Sequence, residues 1–293
     1  MIFTYTKKEN DTYKTVKQVL TQEFNISYRL LLKLKKADKI FLNGSSPLYM
    51  DFPININDTV SAILDFEEDN SNIIPKKMNL NILFEDEFFL ILNKPAGISV
   101  HPSIEHYEDS LSNGIKYYFD TINLHKKIRP INRLDKNTSG IVVFAKNEYI
   151  QECLIKQMSN KIFKKEYIAI CNGIFNEKNG TINEPIARKE NSIIERCVSP
   201  LGSQSITHYT VIKEINNMSE LIISLETGRT HQIRVHLAYV GHPIIGDSLY
   251  FKESGLISRQ ALHAHRIEFV HPIINKKMVV ESPLPKDMKN LII

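Results

Sequence analysis

Apolar positions near the start of the chain recur at helical spacing. In "TVKQVLTQEF" (15–24), Val16, Val19, Leu20 and Phe24 fall on one face behind Thr15, a residue suited to capping a helix N-terminus. The pattern repeats in "SYRLLLKLKKADK" (27–39), where Leu30, Leu31 and Leu34 form the apolar side and Arg29, Lys33 and Lys36 share the opposite stripe. "IFLNG" (40–44) then reads as a strand and turn, and "INDTVSAIL" (56–64) as another strand. The polar, proline-ended stretch "DFEEDNSNIIPKK" (65–77) reads as a linker with few contacts across it, which places a domain boundary near residue 76.

Beyond that boundary the period shortens. "FFLILNK" (88–94) and "GIVVFAK" (140–146) are short buried strands, and "KEYIAIC" (165–171), "SITHYTVI" (205–212), "SELIISLE" (219–226) and "ALHAHRIEF" (261–269) alternate. Helical spacing returns in "EYIQECLIKQM" (148–158), through Ile150, Cys153, Leu154 and Met158. Many strands with occasional helices, in no regular strand–helix repeat, predict an α+β fold with a mainly antiparallel mixed sheet flanked by helices. The expected organisation is a small N-terminal α/β module and linker over 1–76 and a larger domain over 77–293.

Composition changes this picture little. At 293 residues and 42% hydrophobic, the chain can bury a core of one large and one small domain. No apolar run approaches the length of a bilayer span, and "MIFTYTKKEN" lacks a signal-peptide pattern, so a cytoplasmic monomer without membrane contact is expected. Three cysteines, Cys153, Cys171 and Cys197, are widely spaced and are expected to be reduced and packed. A net charge of +4 permits a nucleic-acid partner without requiring one.

Two stretches concentrate chemistry. "RPINRLDKNTSG" (129–140) sets Asp135 among arginines and hydrogen-bonding side chains. The carboxylate there is either a structural clamp or a reacting group. "LETGRTHQIRVHLAYVGHPIIGD" (225–247) runs from a strand end through Arg229 into a helix starting near Thr230 and stopping at Gly241. His231, Gln232 and Arg234 fall on its first turn, where free N–H groups and guanidinium groups favour an anion. His231 and His236 do not share a helical face, and His263 and His265 lack an acidic or thiol partner at ligand spacing, so no metal site is expected. No G-x-x-x-x-G-K-[ST], G-x-G-x-x-G or G-x-S-x-G stretch occurs, and Ser139 is assigned to turn hydrogen bonding.

"RLDKNTSGIVVFAKN" resembles the R-L-D-x-x-T-S-G signature of the RluA family of RNA pseudouridine synthases. "LFEDEFFLILNKPAGISVHPS" (83–103), "KKEYIAICNG" (164–173), "LETGRTHQIRVHLAYVGHPIIGDSLY" (225–250) and "LHAHRIEFVHP" (262–272) resemble its other motifs in family order. Asn132 departs from the usual histidine. The resemblance implies a cofactor-independent isomerase with Asp135 as the catalytic carboxylate. It also implies that Tyr167 is the platform for a flipped base and Arg229 the arginine paired with the aspartate. A carboxylate suits an anomeric carbon either as nucleophile or as base toward a glycal. Held against a sugar, it stays ionised only if a neighbouring cation offsets its desolvation. Arg133, His231, Gln232 and Arg234 are expected to contact RNA. Residues 12 to about 64 resemble an S-four-type RNA-binding domain, which adds Arg29, Lys33 and Lys36 to the expected RNA contacts and points to large-subunit ribosomal RNA. The alternatives are transfer RNA, a non-catalytic RNA-binding or ribosome-assembly protein, and a glycosidase using a second acid such as Glu166 or Asp247.

Overall fold

A computed structural model of the chain describes residues 1–103 and 107–293. Strand β1 (Ile2–Thr6) opens it, followed by a short helix α1 (Val16–Gln18) that widens into a π-turn over Val19–Glu23. Helix α2 (Tyr28–Lys36) and strands β2 (Ile40–Leu42) and β3 (Thr59–Ile63) complete an antiparallel sheet in the order β1-β3-β2. Thr15 and Ser27 cap their helices through side-chain oxygens, and Leu30, Leu31 and Leu34 are buried as their spacing predicts.

The second part contains β4 (Ile82–Glu85), β5 (Phe89–Lys94), α3 (Leu111–Thr121), β6 (Arg129–Pro130), β7 (Ser139–Ala145) and α4 (Glu148–Ser159). Next come β8 (Lys164–Asn172), β9 (Asn179–Asn183), the small pair β10 (Ile186–Arg188) and β11 (Arg196–Val198), β12 (Ile206–Ile215) and β13 (Met218–Leu225). Helix α5 (Gln232–Tyr239), β14 (Leu262–Val270), β15 (Lys277–Glu281) and α6 (Lys286–Lys289) close the chain. The large sheet runs β4-β5-β7-β14-β8-β13-β12-β9, with β15 on β14 and β6 on β7. Among the described strands, its pairs are antiparallel except β7 with β14. The fold is α+β, as the alternation predicts.

The β7–β14 junction positions the site. Ala264 on β14 pairs with Gly140 on one side and Tyr167 on the other. Gly140 has φ of +113°, and a side chain there would meet the Ala264 backbone at 2.2 Å, so only glycine lets the strands approach. Apolar clusters fill both faces of the sheet. Leu134, beside Asp135, packs against two of them and so ties the signature loop to the core.

The stretch over 65–77 is not a free linker. Lys126 bonds the Asp65 carboxylate, Arg129 takes the Glu68 carboxylate with two guanidinium nitrogens, and Ile73 is buried among α3 and β5 residues. One apolar cluster is continuous from Val16, Leu31 and Val60 to Phe89, Ile141 and Phe269, and the Phe3 and Tyr149 rings meet edge to face at 5.1 Å. The expectation of few contacts across this stretch is therefore not met. Asp65 and Glu68 find partners on the second part instead of water.

Candidate active site

Asp135 lies in the loop between β6 and β7, and its neighbours hold that loop from both ends. Asn132 is buried, donates to Ile141 O at 2.9 Å and accepts Val143 N–H at 3.0 Å. It thereby clamps the loop's start to β7, a task within reach of a short amide in the histidine's place. At the other end, Thr138 N–H bonds Asp135 O at 3.0 Å and Gly97 N–H bonds Lys136 O at 2.9 Å. Lys94, fully buried at the end of β5, donates to the carbonyls of Pro95, Ile98 and Lys136 at 2.8–3.0 Å. Burial pulls its pKa down to about 7, and the Asp135 charge opposes that shift. Sequence reading passed over Lys94 because a lysine ending a strand looks like a solvated flank.

The guanidinium at Asp135 belongs to Arg234. Its Nη1 donates to Asp135 Oδ2 at 3.0 Å, while Nε and Nη2 grip Asp247 at 2.7 and 2.8 Å. Arg229, expected to make this pair, is exposed at the cleft rim, its Nε 3.4 Å from Gln204 O. The correction has a backbone cause. His231 has φ of +57°, so the chain turns sharply before α5 and aims the third helical residue back at the signature loop. Asp247 is 1% exposed and also accepts the backbone N–H groups of Leu249 and Tyr250, so it is an anchor for Arg234 and not an acid facing the cleft.

The remaining expected contacts separate cleanly. Gln232 is 3% exposed and fully engaged: its amide donates to Ile206 O and Thr207 Oγ1, and its carbonyl accepts from Arg229 N and Thr227 Oγ1. It pins the loop before α5 and has no bond left for RNA. Arg234 is likewise spent on carboxylates. Arg133 and Arg229 are exposed and line the cleft, as does His231. On α2, Lys33 Nζ lies 2.5 Å from Glu148 and Arg29 Nε 3.7 Å from the same carboxylate, so these two face α4; Lys36 is exposed. Ser139 bonds His263 within the sheet instead of a turn.

Asp135, Tyr167, Arg133 and Arg229 line an open cleft of about 700 Å³, within the range of pockets that hold a small organic group. The Asp135 side chain remains 28% exposed, so one face of the carboxylate is open to the cleft. Tyr167 is buried on β8, and burial together with the Asp135 charge raises its pKa, keeping the phenol protonated at neutral pH. Lys165, two residues earlier and on the same strand face, lines the cleft half-buried, and burial lowers its pKa.

Residues 88–239 match the family model for RNA pseudouridylate synthase. The chain belongs to the RNA pseudouridine synthase family. It is 47% identical to the uncharacterized RNA pseudouridine synthase YhcT of Bacillus subtilis, covering 77% of this chain and 75% of that one. It is 36% identical to the ribosomal large subunit pseudouridine synthase D of Haemophilus ducreyi, over 77% and 73% of the two chains. Human RNA pseudouridylate synthase domain containing 1 superposes with a TM-score of 0.58 at 26% identity, over 70% of this chain and 83% of that one. The protein is thus an isomerase acting on RNA, and the matched segment contains the Asp135, Tyr167 and Arg234 cluster. No described helix is long and apolar enough to cross a membrane.

Proposed function

We propose that this chain converts specific uridines of large-subunit ribosomal RNA to pseudouridine, with Asp135 as the reacting carboxylate. The observation that carries the chemistry is the half-open Asp135 carboxylate, held on one side by Arg234 and opening on the other into a cleft walled by Tyr167. Isomerisation breaks the bond from C1′ to N1, turns the uracil, forms the bond from C1′ to C5, releases the C5 hydrogen as a proton and returns a proton to N1. Electrons and atoms balance within the nucleoside. A carboxylate serves this as nucleophile at C1′ or as base toward a glycal. In either role Arg234 aims it through the bond from Nη1 to Oδ2.

The target base must leave its stack to reach Asp135, and the Tyr167 ring offers a face to receive it. Arg133 and Arg229 at the rim supply positive charge for the flanking phosphates. The name of the Haemophilus relative supports the choice of large-subunit RNA. Residues 1–76 are proposed as an S-four-type RNA-binding module, with the exposed Lys36 as its phosphate contact. The test is tritium release from transcripts labelled at uridine C5. Large-subunit fragments should release tritium, whereas transfer RNA transcripts should not, and chemical mapping in cells lacking the gene should lose the same sites. Release from transfer RNA alone would overturn the substrate assignment.

A further inference from the structure

His231 shares the recess with Asp135, yet the chemistry above leaves it unused. Its Nδ1 lies 2.7 Å from Tyr250 Oη, and that oxygen also receives the Arg196 backbone N–H at 2.9 Å. A backbone amide can only donate and the phenol has one proton of its own to give, which we assign to the ring nitrogen. Nδ1 is then an acceptor, and the imidazole carries its proton on Nε2. Burial lowers the pKa of the ring; Asp135 and Asp247 oppose that effect, while Arg234 and Arg196 add to it, so the imidazole is neutral near pH 7. Nε2 stands 3.9 Å from Asp135 Oδ2, too far for a hydrogen bond, and both residues line the same recess.

A single hydroxyl oxygen fits between them, within roughly 2.8 Å of each. It would accept from Nε2–H and donate to the carboxylate. The pair therefore selects a group that both donates and accepts. In a uridine within an RNA chain, the 3′ and 5′ oxygens are esterified, the uracil carbonyls only accept and N3–H only donates. The 2′-hydroxyl alone does both, and it is borne by the carbon next to the anomeric centre that Asp135 must reach.

We propose that His231 Nε2 and Asp135 Oδ2 together hold the 2′-hydroxyl of the target uridine, making His231 a positioning residue that selects ribose over deoxyribose. This rests on the reading of Asp135 as the reacting carboxylate. The experiment compares a modified large-subunit RNA fragment with the same fragment carrying one 2′-deoxyuridine at the target, using wild type and His231→Asn. Asparagine tolerates the left-handed backbone at this position but cannot span the gap. Wild type should lose about 10-fold in kcat/KM on the deoxy substrate, as for one hydrogen bond. His231→Asn should lose a similar factor on the ribose substrate and little more on the deoxy one. A penalty intrinsic to the chemistry is common to both enzymes, so losses that multiply would overturn the proposal. Tyr250→Phe keeps the ring but frees the imidazole, and should shrink the ribose preference even if His231→Asn fails to fold; an unchanged preference would overturn the tautomer assignment. Wild type that releases no tritium from the ribose substrate would sink the synthase reading and this proposal with it. Normal wild-type turnover with multiplying losses would sink only the proposal.

Discussion

At the scale of single residues, the site turns on which arginine meets the carboxylate. Arg234 spends three guanidinium nitrogens on Asp135 and Asp247, and lysine cannot reproduce that fork. Arg234→Lys should lower kcat by about 100-fold, the usual cost of removing one preorganised donor from a reacting group. Arg229→Lys, which keeps a positive charge at the rim, should stay within a few-fold of wild type in kcat. Steady-state tritium release separates the two, and the reverse order would restore the pairing first expected. That Asp135 and Tyr167 would share one cleft was legible because their motifs are short and local. The choice between Arg229 and Arg234 was not, because linear spacing carries no sign of the left-handed turn at His231. Lys94 makes a different prediction. Its pKa is about 7 in the fold against 10.5 as the ordinary value, so unfolding takes up a proton between those limits and stability rises with pH across them. The stability difference between wild type and Lys94→Met should therefore move in favour of wild type from pH 7 to 9, by up to about 1.4 kcal/mol per unit. Urea melts at the two pH values measure it; a flat difference would mean that the buried amine does not titrate there.

At the scale of elements, strands and helices with a clean period were readable, and those with local conflicts were not. Helix α2 and helix α4 follow their apolar spacing, and Gly241 ends α5 with φ of +88°. Helix α3 escaped reading because Asn113 and Gly114 interrupt it, both poor helix formers. The structure explains them: Asn113 caps through Ser110 and bonds Ile74 O, and Gly114 makes room for Met78. Strand β1 was missed as well, since its five residues show alternation only once β3 lies beside them. Gly140 is the position where an element would fail most sharply. Gly140→Ala places a methyl group against the Ala264 backbone and forces a β-carbon into a positive-φ conformation. The variant should be insoluble or melt far below wild type in a thermal scan; near-normal melting would mean that β7 and β14 can separate without cost.

At the scale of the whole molecule, the N-terminal part is bound to the larger sheet through a continuous apolar cluster and through Glu148. The polar composition of 65–77 concealed this, because two of its carboxylates, Asp65 and Glu68, are matched by Lys126 and Arg129, more than fifty positions away. Removing residues 1–76 should expose apolar side chains around Tyr149 and Phe89 and lower solubility and melting temperature, contrary to what a free linker implies. Within that part, Lys33→Ala should cost stability, as among the described residues it leaves the buried Glu148 with the distant Arg29 guanidinium as its cationic partner. Lys36→Ala should instead flatten the slope of log affinity against log salt by about 0.7 to 0.9. The proposed reaction runs through one carboxylate, that of Asp135. Its most direct measurement is tritium release from C5-labelled large-subunit RNA by wild type and Asp135→Asn, with RNA affinity determined alongside. Wild type should release tritium, and the variant should release none while binding within a few-fold of wild type. Appreciable release by an Asp135→Asn preparation free of deamidated protein would mean that a group other than this carboxylate carries the reaction.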